Sequence, residues 1–143
     1  MNSGIELSGT LLGLQRATHH SLNALGESLG HLGLSAAEIN TLANLADGRR
    51  RTVAELSAAV GSRSSTLTGI LDRLEHRRLV RRQAHPTDRR SYLVVLTQTG
   101  AEVAATVDRA VADLERRLLA GLPATALAGF QSVLAALSGE GGR

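Results

Sequence analysis

The chain has 143 residues, enough for one compact domain or one protomer of an obligate oligomer, and its 43% hydrophobic and 20% charged content excludes a disordered polymer. It contains no cysteine, which removes disulfides, thiolate metal sites and cysteine nucleophiles together. The net charge of +3 conceals a strong asymmetry: residues 49–90 hold 11 Arg against four acids, a local +7, while the rest of the chain carries 5 Arg against 9 acids. Such a dipole gives one face an affinity for polyanions.

Tyr92 and Phe130 are the only aromatic residues, whereas Leu (25) and Ala (21) abound, so an aliphatic, mainly helical core is expected. No apolar run approaches a membrane span, and the N-terminus lacks a basic region followed by an apolar one. A soluble cytoplasmic protein is the expectation.

In chain order, Leu7, Leu11, Leu14, Thr18, Leu22, Leu25 and Leu29 alternate steps of three and four, a helical stripe over several turns. Ser35-Ala-Ala-Glu38 reads as a capping box that opens a helix through Ile39, Leu42 and Leu45, which Asp47-Gly48 ends. Thr52-Val-Ala-Glu55 is a second capping box, opening a short helix to about Ala59. Gly61 breaks the chain, and Ser62 is expected to cap a segment from Arg63 to about Arg77. Leu67, Ile70, Leu71 and Leu74 share one face of that segment; Ser65, Thr68, Gly69, Asp72 and His76 turn outward, with Thr66 and Arg73 on a flank. Two helices joined by a short Gly-containing turn, the second with a small polar outer face, describe a helix-turn-helix.

Leu79–Ala84 and Ser91–Leu96 then read as two strands around a His85-Pro-Thr-Asp-Arg-Arg90 tip, a β-hairpin wing. Thr97 caps a long helix with Val103, Val107, Val111, Leu114 and Leu118 in a seam. Pro123 suits the first turn of a last helix through Leu127, Phe130, Leu134 and Leu137, and the tail from Gly139 to Arg143 is expected to fray. The fold class that follows is mainly α with a small β component, a winged helix-turn-helix.

These elements resemble the MarR family of bacterial winged-helix regulators. "TVAELSAAVGSRSSTLTGILDRLEHRRLVRR" is similar to the family's helix-turn-helix, and "HPTDRRSYLVVLTQTG" to its wing and exit, with the DxRxxxV signature met by Asp88, Arg90 and Val94. One departure stands out: Arg78 occupies the place where the family commonly has Gly after the recognition helix. A left-handed backbone there costs a non-Gly residue about 1–2 kcal/mol.

The resemblance implies a single domain over 1–143, with a winged helix-turn-helix at 35–97 and dimerisation helices at 5–30 and 98–138. It further implies a homodimer that binds double-stranded DNA at a pseudo-palindrome, acting as a repressor relaxed by a small-molecule effector. The effector pocket would border His19–Asn23, His31–Leu34 and the start of the helix after Thr97. With so few aromatics, its walls would be aliphatic.

Among candidate residues, Ser64, Ser65, Thr66 and Thr68 can donate to phosphates or base edges, and Arg63 is long enough to reach a phosphate. Arg73 either touches the backbone of DNA or pairs with an acid. Asp72, facing outward, orients a neighbouring Arg. At the wing, Arg89 and Arg90 fit either solvated surface or DNA contacts, and the resemblance implies Arg90 as the groove-entering residue with Asp88 holding the tip. Arg49, Arg50 and Arg51 fit either phosphate binding or plain solvation.

Five histidines (19, 20, 31, 76, 85) raise a metal site, but without Cys or an i, i+4 His pair none is expected, and no cofactor either. Neither a Gly-x-Ser-x-Gly turn nor a phosphate-binding Gly-Lys loop is present, so no enzyme is expected. Two other readings stay open: an RNA-binding winged helix, and a ligand-binding protein that has lost DNA binding.

Overall fold

The structure is a computed structural model that describes residues 9–139. Gly9, with a left-handed backbone at φ 83°, precedes α1 (Thr10–Ser28), and a 3-10 turn follows at Gly30–Leu32. The expected stripe is only partly covered: Leu29 is buried, Leu14, Leu22 and Leu25 are half-buried, and Leu11 is 57% exposed. Leu7 lies outside the described residues.

Both capping boxes form. Ser35 Oγ accepts from the Glu38 amide at 3.2 Å and opens α2 (Ala36–Leu45); Thr52 Oγ1 accepts from the Glu55 amide at 3.2 Å and opens α3 (Val53–Val60). Gly61 closes α3 with a left-handed backbone at φ 73°. The next helix, α4 (Ser64–His76), corrects the expectation for its start. Arg63, not Ser62, stands at the cap position, with an extended backbone and no side-chain cap bond. Ser62 still lies in the turn out of α3, where its amide donates to the Ser57 carbonyl at 3.1 Å.

The sheet has three strands in the order β1-β3-β2: β1 (Arg51–Thr52), β2 (Val80–Ala84) and β3 (Tyr92–Leu96). β2 and β3 form the hairpin, antiparallel from Val80 opposite Leu96 to Ala84 opposite Tyr92. β1 was not visible in the pattern, because two residues cannot display an alternation; it pairs Arg51 with Val94 and Thr52 with Leu93. One core joins Leu42, Leu45, Leu56, Leu67, Leu71, Leu74, Leu79 and Val94 beneath α2, α3 and α4 and one face of the sheet. A smaller cluster gathers Leu29, Ile39 and Val107.

After β3, Thr97 Oγ1 accepts from the Gly100 amide at 2.9 Å and starts α5 (Gln98–Leu119). Pro123 sits one residue before α6 (Ala124–Leu137) rather than inside its first turn. The described residues fall into two compact units, one ending at Ala112 and one starting at Asp113. In the second, Leu118 is 64% exposed, and Leu122, Phe130, Val133 and Leu137 are each close to half exposed. No described helix is long and apolar enough to cross a membrane.

Candidate nucleic-acid interface

The outward side of α4 is small and polar because its apolar residues are all spent inward. Leu67, Ile70, Leu71 and Leu74 are buried, while Ser64, Ser65, Thr66 and Thr68 are exposed. Their hydroxyls are not equally free. Thr68 Oγ1 donates to the Ser64 carbonyl at 2.8 Å, and Ser64 Oγ lies 3.3 Å from Ser57 Oγ on α3. Thr68 therefore presents lone pairs rather than a proton unless its hydroxyl rotates. Arg63 is exposed immediately before the helix.

Arg73 takes the acid-pairing alternative: its Nε stands 3.7 Å from Glu38 Oε1, a carboxylate almost buried at the start of α2. Its Nη1 also lies over Gly69, 3.8 Å from where a Cβ would stand, so the guanidinium stays near the outer side of α4. Arg73 and Glu38, with Gly33, Asp72, His76 and Arg77, line a cavity of about 390 Å³. Asp72 does orient an arginine, and the arginine is Arg82.

Arg82 on β2 is the residue that pattern reading missed. Its Nη2 bonds Asp72 Oδ1, its Nε is 3.1 Å from Glu75 Oε2, and its guanidinium carbon lies 4.9 Å from the centre of the Tyr92 ring. One side chain thus joins α4 to both strands of the wing. Its one cue in the sequence is parity: Arg82 falls on the strand face of the buried Val80, although it stays exposed itself. Arg77 makes a similar tie elsewhere, donating to the carbonyls of Gly33 and Leu32 at 3.0 and 2.8 Å.

At the wing tip, Arg89 and Arg90 are exposed. Asp88 Oδ1 accepts from the Arg90 amide at 2.9 Å, and the Asp88 carbonyl accepts from the Ser91 amide at 3.2 Å. His85 folds over the same turn, its Nδ1 accepting from the amides of Thr87 and Asp88 at 3.2 and 3.1 Å.

Of the Arg49–Arg51 run, Arg51 is consumed internally. It holds Asp47 with both terminal guanidinium nitrogens, at 2.8 and 2.6 Å, and donates to the Asn44 carbonyl. That hydrogen-bonded pair, with the Arg49 amide on the same carboxylate, pulls Asp47 well below the usual carboxylate range and raises Arg51. Arg49 and Arg50 remain on the surface.

Helix ends complete the picture. Arg78 has φ 60°, the one non-glycine left-handed residue among those described. Its amide bonds the Glu75 carbonyl at 2.9 Å and the Leu79 amide bonds the Leu74 carbonyl at 2.9 Å, which is the Schellman pattern. The anticipated strain at position 78 is therefore present. The Leu79 carbonyl then receives the Thr97 amide at 3.1 Å, and a Cβ on Gly100 would collide with that carbonyl oxygen.

Comparison with known proteins fits this geometry. A model of the MarR family matches residues 32–91. The chain is 38% identical over 68 residues to the HTH-type transcriptional repressor NicR of Pseudomonas putida, a match spanning 48% of this chain and 43% of that one. It is 30% identical over 139 residues to the multiple antibiotic resistance protein MarR of Escherichia coli, covering 94% of this chain and 96% of that one. The crystal structure of CouR from Rhodococcus jostii, bound to p-coumaroyl-CoA, superposes with a TM-score of 0.81 at 26% identity, covering 92% of each chain. With a winged helix-turn-helix in place and similarity to the Escherichia coli protein running nearly end to end, the chain belongs to the MarR family of transcriptional regulators.

Proposed function

We propose that this regulator binds double-stranded DNA as a homodimer, reading a pseudo-palindromic operator, and that it represses transcription until a small ligand loosens its hold. One observation carries the reading: α4 offers an exposed, small polar face (Ser65, Thr66, Thr68) within the segment of net charge +7, joined by Arg82 to a wing that ends in exposed Arg89 and Arg90. In this reading α4 lies in the major groove, and Arg63, Arg89 and Arg90 meet phosphates or the minor groove. Asp88 holds the tip, Ser64 acts through its bond to Ser57, and Arg73 engages DNA only by leaving Glu38. The exposed apolar side chains of α1 and α6 support a second copy as their cover. The name of NicR supports repression, and the ligand bound in CouR supports a small effector.

Selection of bound sequences from a random duplex pool tests this directly. The expected outcome is a two-fold symmetric motif with half-sites roughly one helical turn, about 34 Å, apart. On that duplex, Arg90→Ala should flatten the slope of log affinity against log salt by up to about 2 per dimer, since each neutralised phosphate contributes about 0.9. A pool that yields no motif, or a structured RNA that outcompetes every duplex, would overturn the reading.

A further inference from the structure

We propose that His85 is a positioning residue that makes the wing tip sensitive to pH, so that the regulator's grip on DNA weakens on acidification. The inference rests on the DNA-binding reading for its consequence, but its structural core stands apart from it. His85 Nδ1 accepts two backbone amides, those of Thr87 and Asp88, and lies 3.4 Å from Thr87 Oγ1. An acceptor at Nδ1 requires the neutral imidazole with its proton on Nε2.

The position explains the arrangement. His85 precedes Pro86 at the start of the turn, where an Asn or Asp side chain would ordinarily accept the same two amides. Those side chains keep their accepting oxygen near neutral pH and in mild acid. Imidazole does not: protonation converts Nδ1 from an acceptor into a donor. The amides of Thr87 and Asp88 would then face a third N–H, and the turn would lose one of its two side-chain clasps. The other, Asp88 to the Arg90 amide, is set two residues further on and inherits a looser frame.

The charges around the group are few. The tip itself carries Asp88, Arg89 and Arg90; β2 carries Arg81 and Arg82, the latter held by Asp72 and Glu75 of α4. The groove beside the tip is completed by Thr52, Val53 and Ala54 with Ser91 and Tyr92, and Glu55 of α3 is engaged by the Thr52 amide. No carboxylate other than Asp88 is placed in the tip to reward a protonated His85.

The sign is the discriminating feature. A histidine that gained charge beside DNA would tighten binding in acid by simple attraction, whereas loss of the clasp loosens it. Affinity for a short random-sequence duplex at low salt is measured at about pH 7.5 and about pH 5.5 for the intact protein, His85→Asn and His85→Ala. The intact protein is expected to bind roughly fivefold more weakly at the lower pH, the equivalent of about one net hydrogen bond. His85→Asn should keep the neutral-pH affinity and lose that dependence, because its side-chain oxygen accepts at both values. His85→Ala should bind weakly at both. Tighter binding in acid, or the same pH profile in His85→Asn as in the intact protein, overturns the proposal; the latter would point to another histidine, such as His76 on α4. If no form binds any duplex, the DNA-binding reading fails, and nitrogen NMR of the imidazole decides the inference alone. A proton on Nε2 near neutrality, with amide protection of Thr87 and Asp88 lost as the ring protonates, upholds it. A proton on Nδ1 overturns it.

Discussion

Arg78 shows what a single side chain costs when the backbone around it is fixed. Two hydrogen bonds and the buried Leu74 and Leu79 hold the end of α4 in a geometry that suits glycine, and an arginine sits there at φ 60°. Arg78→Gly should therefore stabilise the fold by about 1 kcal/mol, the left-handed penalty less the extra flexibility of glycine in the unfolded chain. Denaturant titration would show a higher midpoint with an unchanged slope; a lower midpoint would mean that the arginine stem packs usefully.

Asp47 makes a prediction of the opposite kind. Its carboxyl is held below the ordinary value near 3.8 by Arg51, so its contribution to stability is complete above that value and is lost as pH falls through the lower folded one. Thermal unfolding followed from neutral pH into strong acid should fall less steeply for Asp47→Asn than for the intact protein below about pH 4. Parallel curves would show the pair to be inconsequential in solution.

At the level of elements, what could be read from the chain depended on whether a signal was local. The two capping boxes, the Gly61 break and the hairpin each declare themselves in one continuous stretch of chain, and strand ends fell within one residue of expectation. β1 had no such signal, since its two residues are a strand only because Leu93 and Val94 lie beside them. The start of α4 was misplaced by one residue because a serine is the better intrinsic cap, yet the left-handed Gly61 sets where the chain can re-enter a helix.

The candidate interface was legible as a set of exposed residues on α4 and the wing. What joins them was not, because Arg82 meets Asp72 and Glu75 only after the hairpin folds back. This tie leads to a prediction. Arg82→Met should change stability by less than about 1 kcal/mol, its partners being well exposed, yet weaken duplex binding by more than removal of one distant charge would. A loss no greater than that of Arg49→Met, measured on the same duplex, would show that the wing needs no anchor.

For the molecule as a whole, the unmet demand is apolar. Leu11 and Leu12 on α1, and Phe130, Val133 and Leu137 on α6, present large side chains to water in an isolated protomer. Scattered exposed leucines are ordinary, but Phe130, Val133 and Leu137, aligned on consecutive turns of α6, call for a cover. Phe130→Asp should accordingly lower the mass observed by sedimentation equilibrium and reduce the thermal midpoint in a concentration-dependent way. An unchanged dimer would place the contact elsewhere, and a monomeric intact protein would remove the need for it.

The pairing of Tyr92 with Arg82 has an optical consequence. The chain has no tryptophan and a single tyrosine, so its near-ultraviolet emission arises almost wholly from one ring. That ring stands opposite Ala84, where the hairpin strands meet the tip, under the guanidinium that clasps α4. The unlabelled protein thus carries its own reporter at the joint between α4 and the wing. A ligand or operator that shifts the wing relative to α4 alters the quenching of Tyr92, while one that acts without moving the joint leaves the emission dark to its arrival.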